Sequence, residues 1–221
     1  MKITKVMGGV LEKLTKPREP NPITGNLFFP SWAGMCPRWI YYAKTIGTKV
    51  DKNTNYRFII GNMAHEYFEK LISDNYDVAI EYPFQTDYEK IHISGRIDIM
   101  TEKGIIDLKT TNDLNTTKLP KYSDIAQVQL YLHFMNKKDG MLIYIDVNRL
   151  LLNRTSGHAF MEVRFNYDEN IATNVLRKFE YVYEYYMRKT PPPMDNPFMN
   201  HSDIECQYCP FKEVCKNGIN K

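Results

Sequence analysis

The chain has 221 residues, 43% of them hydrophobic and 25% charged, with a formal net charge of +3. That length can bury one sizeable core. The composition excludes a disordered or fibrous chain, and no apolar run is long enough to cross a bilayer. So small a net charge neither demands nor excludes a nucleic-acid partner, because a local basic groove matters more than the sum.

The opening residues, MKITKVMGGVLEKLTKPREP, contain no apolar signal segment or cleavage site, so a cytoplasmic protein is expected. In that compartment four cysteines are expected as metal ligands or free thiols rather than disulfides. Up to about Pro30 the chain is rich in Pro and Lys and reads as a surface arm with room for one short helix. SWAGMCPRWIYYAKTIG (31–47) predicts a helix capped by Ser31 and stopped at Gly47. In TNYRFIIGNMAHEYFEKLISDN (54–75), Tyr56, Ile59, Ile60, Met63, Tyr67 and Leu71 recur at helical spacing. His65 lies off that stripe, on a face with Gly61, Phe68 and Ile72, where it can line a cleft.

Strands are predicted at 78–84, 91–100 and 104–110, followed by a helix at 122–137 and a strand at 141–147. A polar loop (148–157) precedes an outer strand (158–165) and a long helix (168–189) that TPPPMDNP ends. Helix–strand–strand–strand–helix–strand predicts an α/β fold, a mixed central sheet flanked by helices around one core. A single domain is expected: an arm and helix over 1–53, a core over 54–190 and a tail over 191–221.

SGRIDIMTEKGIIDLKTT (94–111) carries Asp98, Asp107 and Lys109 among strand-forming apolar residues. Ionised groups are costly in a buried sheet unless paired or metal-bound. Side chains alternate along a strand, so Ile97 and Ile99 point away from Asp98, and Ile106 and Leu108 away from Asp107 and Lys109. If both apolar pairs face one core, the hairpin turns about Glu102 and Lys103, and Asp98 lies across from Asp107. Opposed residues hold their Cβ atoms about 4.5–5.5 Å apart. Two carboxylates at that spacing can share a hard divalent cation that binds oxygen at about 2.0–2.6 Å. Lys109, on the same face, can orient a water or balance charge on a phosphate. Gln127 and Tyr131, four apart on the 122–137 helix, share one helical face. Arg38, Arg57 and Arg96 are candidates for phosphate contacts.

ECQYCPFKEVC places Cys206, Cys209 and Cys215 in C-x2-C-x5-C spacing, with Cys36 far away in GMCPRWIYY. Three clustered thiolates and a distant fourth can close a tetrahedral site for zinc or an iron–sulfur cluster, and the spacing alone leaves that choice open.

GRID…IIDLKTT resembles the PD-(D/E)xK nuclease signature in its RecB-like form. Other residues agree with that family. Gly61, His65 and Glu69 match its G-x-x-x-H-x-x-x-E helix, Glu81 its first-strand acid, and Gln127 and Tyr131 its Q-x-x-x-Y helix. The likeness spans roughly residues 31 to 215 and implies a restriction-endonuclease-like αβββαβ core. It also implies one or two Mg²⁺ or Mn²⁺ ions held by His65, Asp98, Asp107 and the Leu108 carbonyl. Lys109 would position the attacking water, and Gln127 and Tyr131 would hold the scissile strand or a water. The cysteine arrangement is similar to the iron–sulfur nucleases, including AddB-type domains and the fourth CRISPR-associated protein family. This likeness implies a [4Fe–4S] cluster on Cys36, Cys206, Cys209 and Cys215 that joins the two ends of the chain, with zinc as the alternative.

The resulting expectation is a stand-alone DNA exonuclease acting on single-stranded ends, since no G-x-x-x-x-G-K-[ST] helicase motif is present. Against it stand a non-catalytic DNA-binding scaffold and a structure- or sequence-specific endonuclease of the same fold. Some iron–sulfur nucleases form rings, but nothing in this sequence signals an oligomer.

Overall fold

AIEYPFQTDY, IHISGRIDIM and GIIDLKTT are short, rich in β-branched and aromatic residues, and bounded by turn-forming residues, and they form the centre of a mixed sheet. The computed structural model describes residues 16–115, 118–151, 158–198 and 206–217, together with Gly9 and Glu12. The short helix expected in the opening arm falls largely outside them, as do residues 152–157 of the polar loop. The strands are β1 (Leu27–Phe28), β2 (Ala79–Tyr88), β3 (Ile91–Met100), β4 (Gly104–Thr111), β5 (Asp139–Asp146) and β6 (Phe160–Asn166). The helices are α1 (Pro37–Thr45), α2 (Lys52–Ser73), α3 (Tyr122–Met135), α4 (Val147–Leu151), α5 (Glu169–Met187) and α6 (Lys212–Asn217). The architecture is the expected α/β one, a mixed open sheet flanked by helices, with β4 and β5 parallel and the β2–β3, β3–β4 and β5–β6 pairs antiparallel.

The main core joins Phe28, Ile93 and Leu142 of the sheet to Ile40 of α1, Leu130 of α3 and Phe179 of α5. A smaller cluster of Ile99, Leu108 and Ile145 packs under Phe68 and Ile72 of α2. Burial on this scale contributes about 25 cal/mol per Å² of apolar surface removed from water.

Several expectations are corrected. The residues before Pro30 are not only a surface arm: Leu27 and Phe28 pair in parallel with His92 and Ile93, and Phe28 is fully buried. The helix expected from Ser31 begins at Pro37 instead. Cys36 is its N-cap and accepts from Trp39 N–H, while Pro30–Trp32 form a separate 3-10 turn. Gly47 does follow the helix end, with φ +74.

The apolar stripe of α2 faces outward, with Met63 61% and Tyr67 65% exposed and Tyr56 and Leu71 also exposed. The face that packs on the sheet is the one holding His65, Phe68 and Ile72. Periodicity identified the helix but not its buried side, because both sides carry apolar residues. Residues 147–151, expected as the last residue of a strand and the start of the polar loop, form the short α4.

The β3–β4 hairpin has the expected register, Ile99 opposite Ile106 and Met100 opposite Ile105, but the ladder ends there. β2 covers one edge of β3 from Ile91 to Met100, so β1 and β4 share the other edge at its two ends. Between them β3 is forked open from Ser94 to Asp98. Ile97 accordingly packs in the main core while Ile99 packs under α2, so the two isoleucines expected together are separated. The change falls at Asp98, beside which β2 carries Glu81 in left-handed backbone (φ 49) with no ladder partner of its own.

Candidate active site and cysteine pocket

The fork leaves the Leu108 N–H without a strand partner on that side, and the Asp98 carboxylate supplies one: Leu108 N–H donates to Asp98 Oδ2 at 2.8 Å. A backbone amide thus fixes one acid of the pair. The other, Asp107, is almost fully buried. Its Oδ2 lies 2.7 Å from Lys109 Nζ, and its Oδ1 accepts from Gln127 Nε2 at 3.2 Å. Gln127 Oε1 in turn accepts from Lys109 Nζ at 3.2 Å, so Asp107, Lys109 and Gln127 form a closed triangle.

α2 completes the site from the opposite wall. Its close approach to β4 passes Gly61, where a Cβ would lie 3.4 Å from Thr110 Oγ1. His65 Nδ1 lies 3.3 Å from Asp98 Oδ2 and 3.6 Å from Glu69 Oε1. Ligand atoms of His65, Glu69 and Asp98 all fall within 4.8 Å of one another. Two ligands of one Mg²⁺- or Ca²⁺-type ion, each at about 2.0–2.6 Å, are separated by at most about 5 Å, so this trio fits one cation. The buried Glu69 Oε1 has no hydrogen-bond partner, as an oxygen reserved for a cation would not. Asp107 stands beside this trio rather than within it. Glu81 pairs with Arg96 at 2.6 Å on the rim.

The electrostatics are those of crowded acids. Burial first, then the charges of Asp98 and Glu81, raises the Glu69 carboxyl to about 7. Burial raises Asp107 to about 6, with Lys109 opposing and Asp98 reinforcing the shift. Asp98 is also raised, by burial, against the pull of its Leu108 hydrogen bond. Burial lowers the pKa of His65, which favours the neutral imidazole that a metal takes. For Lys109 burial works downward, but the Asp107 carboxylate more than offsets it and the ammonium is retained.

His65, Glu69, Asp98 and Lys109, with Asp107 buried behind them, line a cleft of about 850 Å³ that Phe29, Pro30 and Ser31 also border. Gly95 lets that wall approach, since a Cβ there would lie 2.9 Å from Tyr131 Oη and 3.1 Å from Pro30 Cδ. Tyr131, buried against Phe84, donates to the Arg96 carbonyl at 2.8 Å, in the fork of the sheet. Leu108 reaches the site through its backbone alone, its side chain lying in the apolar cluster under α2.

Of the three arginines considered for phosphate contact, Arg96 borders the cleft and Arg57 is exposed on α2. Arg38 is corrected: it is buried in the cysteine pocket, outside the cleft lining, and donates from Nε to Cys215 Sγ at 3.0 Å. Glu69, quoted in the sequence only as part of a motif, belongs in the site. Its position four residues after His65, hence on the same helical face, is the signal that could have placed it there.

Cys36, Cys206, Cys209 and Cys215 line one pocket of about 90 Å³, walled by Trp39, Tyr42 and Phe211. Sequence separation of 170 residues between Cys36 and Cys206 is thus closed in space. Burial raises the Cys36 and Cys209 thiols, and neighbouring cysteines add to the rise.

A family model for the PD-(D/E)XK nuclease superfamily matches residues 59–216, more than two thirds of the chain. The chain belongs to that superfamily. Asp107, Leu108 and Lys109 fit the (D/E)XK element letter for letter. Among solved structures, SSO0001 superposes with a TM-score of 0.63 at 20% identity, covering 97% of this chain and 96% of that one. That likeness shows a shared fold over nearly the whole of both chains. An alkaline exonuclease from Laribacter hongkongensis superposes less closely, with a TM-score of 0.48 at 13% identity over 80% of this chain and 90% of that one. A phage related exonuclease from Haemophilus somnus 129PT gives 0.45 at 16% identity over 58% and 69%. Among the described residues, no helix of this PD-(D/E)XK protein is long and apolar enough to cross a membrane.

Proposed function

We propose that this member of the superfamily is a metal-dependent DNA exonuclease acting on single-stranded ends, with the whole chain serving as one nuclease domain. The observation that carries the reading is the convergence of His65, Glu69, Asp98, Asp107 and Lys109 at one end of a cleft open to a polymer. Mg²⁺ or Mn²⁺ held by His65, Glu69 and Asp98, with Asp107 alongside, would supply Lewis-acid charge at the phosphate. Lys109 stays an ammonium and is pinned by Asp107 and Gln127, so it donates to a water or a phosphate oxygen and does not act as a base. Gln127 fixes the direction of that donor, and Tyr131 holds the β3 backbone that carries Arg96 to the rim. Intact acids and lysine argue against a scaffold that has lost catalysis.

The pocket supports a [4Fe–4S] cluster over zinc. A single zinc ion draws four sulfurs to about 2.3 Å and leaves no water-sized room between them, whereas about 90 Å³ lies among these cysteines. With that centre the protein falls beside the iron–sulfur nucleases of recombination, replication and CRISPR adaptation.

Digestion of an end-labelled single-stranded oligonucleotide tests the reading. Activity with Mn²⁺ is expected, with none under a chelator and about 10²–10⁴-fold less in Lys109→Ala. Equal digestion in all three reactions would end the nuclease reading, and cleavage of a closed single-stranded circle would convert it to an endonuclease. Iron and sulfide in a brown preparation are expected; a colourless protein holding zinc would replace the cluster.

A further inference from the structure

Two buried cations stand beside the cysteine pocket with no carboxylate within ion-pair distance among the described residues: Arg38 on α1 and Lys178 on α5. Burying a charge without a counter-charge is strongly unfavourable. The guanidinium of Arg38 makes four hydrogen bonds, all to neutral groups or a sulfur. Nη1 donates to the Pro192 carbonyl at 2.8 Å, and Nη2 to Tyr42 Oη at 3.0 Å and the Cys215 carbonyl at 3.1 Å. Nε donates to Cys215 Sγ at 3.0 Å. Lys178 Nζ donates to the Ala33 carbonyl, three residues before Cys36; burial lowers its pKa to about 8, and the charge of Cys36 opposes that shift.

A third buried cation shows what the ordinary alternative looks like. Lys44 also lacks a carboxylate, but its Nζ lies over the faces of Phe28 at 4.4 Å and Tyr186 at 5.0 Å. Lys178 has no such ring, and Arg38 has only Tyr42 at 5.6 Å. Arginine cannot escape the difficulty by losing its proton. Among the described residues, the sulfur that Arg38 touches is that of Cys215, and Lys178 reaches the segment that leads into Cys36. Four thiolates around a doubly charged centre, whether zinc or an oxidised four-iron cluster, leave two negative charges over. Arg38 and Lys178 offset that charge from the buried side, and the more exposed Lys212 and Lys216 also line the pocket.

We propose that Arg38 and Lys178 are the counter-cations of a dianionic four-cysteine metal centre, and that the Arg38 hydrogen bond to Cys215 governs how firmly the centre is held. The proposal rests on reading the pocket as a metal centre, and it adds the groups that make such a charge tolerable in an apolar pocket. The Trp39 N–H, donating to Cys36 Sγ at 3.3 Å, aids at the opposite corner. If the centre is a redox-active cluster, reduction adds a further negative charge that Arg38 and Lys178 stabilise, so their presence raises its reduction potential.

The test uses the full chain, purified without oxygen, as wild type, Arg38→Gln, Arg38→Lys and Lys178→Gln. Metal and sulfide content, the rate at which metal passes to a chelator, and, for an iron–sulfur protein, the midpoint potential are measured. Arg38→Gln should release metal at least several-fold faster than wild type and shift the potential in the negative direction. Arg38→Lys, which keeps the charge and loses the fork, should lie between them. Lys178→Gln should shift both readings in the same sense by less, since its ammonium bonds to no sulfur. Should Arg38→Gln fold poorly, Arg38→Lys and Lys178→Gln decide alone. Wild-type release rates in the glutamine variants, with the centre present, would overturn the proposal and leave the metal centre standing. A wild-type protein without iron or zinc would remove both. If zinc is found, release rates alone decide.

Discussion

Asp107 and Glu69 are acids kept in a place acids avoid, and the consequence can be measured at single residues. Both are raised by burial, Asp107 to about 6 and Glu69 to about 7, above their values in an unfolded chain. In metal-free protein the folded state therefore binds more protons than the unfolded state between about pH 4 and 7. The stability these groups contribute is fully present below the unfolded pKa and is lost as pH rises through 6 to 7. His65, whose pKa is lowered by burial, works in the opposite sense. The wild-type minus Glu69→Gln difference separates them. Between pH 5 and 7.5 the urea midpoint of the metal-free wild type should fall relative to Glu69→Gln. A difference that grows in favour of the wild type over that range would contradict the assignment. Divalent cation affinity should rise across the same interval, because the ion takes the deprotonated ligands.

At the scale of elements, the fork in β3 is what opens a cleft in an otherwise continuous sheet. Its two devices are small. Tyr131 bonds to the Arg96 carbonyl, which the fork leaves without a strand partner, and Gly95 admits the Pro30 turn. Tyr131→Phe should destabilise the protein by about 1–3 kcal/mol by leaving a buried carbonyl unpaired, read by urea denaturation. Its turnover should fall far less than that of Lys109→Ala; a loss as large would give the hydroxyl a direct part in the reaction. Gly95→Ala should weaken substrate binding with little change in secondary structure, because the new methyl pushes the Pro30 wall and the tyrosine apart. α2 offers the complementary lesson: its sequence stripe of Tyr56, Met63, Tyr67 and Leu71 faces out, and the helix is positioned by Phe68, Ile72 and the acids beneath His65.

Over the whole molecule, the metal centre proposed for the cysteine pocket would tie the residue before α1 to the last described helix. Closing a loop of 170 residues removes about 5 kcal/mol of unfolded-state freedom on the chain-entropy account, which applies to a metal staple as to a disulfide. Cys206→Ser should therefore lower the melting temperature of the metal-loaded protein by roughly 10 °C or more, measured by circular dichroism without oxygen. A melting temperature within about 2 °C of wild type would show that the staple is not what holds the ends.

The order of strands and helices, the hairpin register about Glu102 and Lys103, the two acids with Lys109, and the four cysteines could all be read in the sequence. The first three depend on local spacing, which backbone geometry converts directly into a shared face or a facing pair, whereas the grouping of Cys36 with the distant three came from likeness to a family. Which side of α2 is buried, the pairing of Leu27 and Phe28 with β3, the fork at Asp98, the place of Glu69 and the burial of Arg38 were decided only by the tertiary structure. In each of these the determining partner lies far away in the chain, and packing against it outweighs the local pattern.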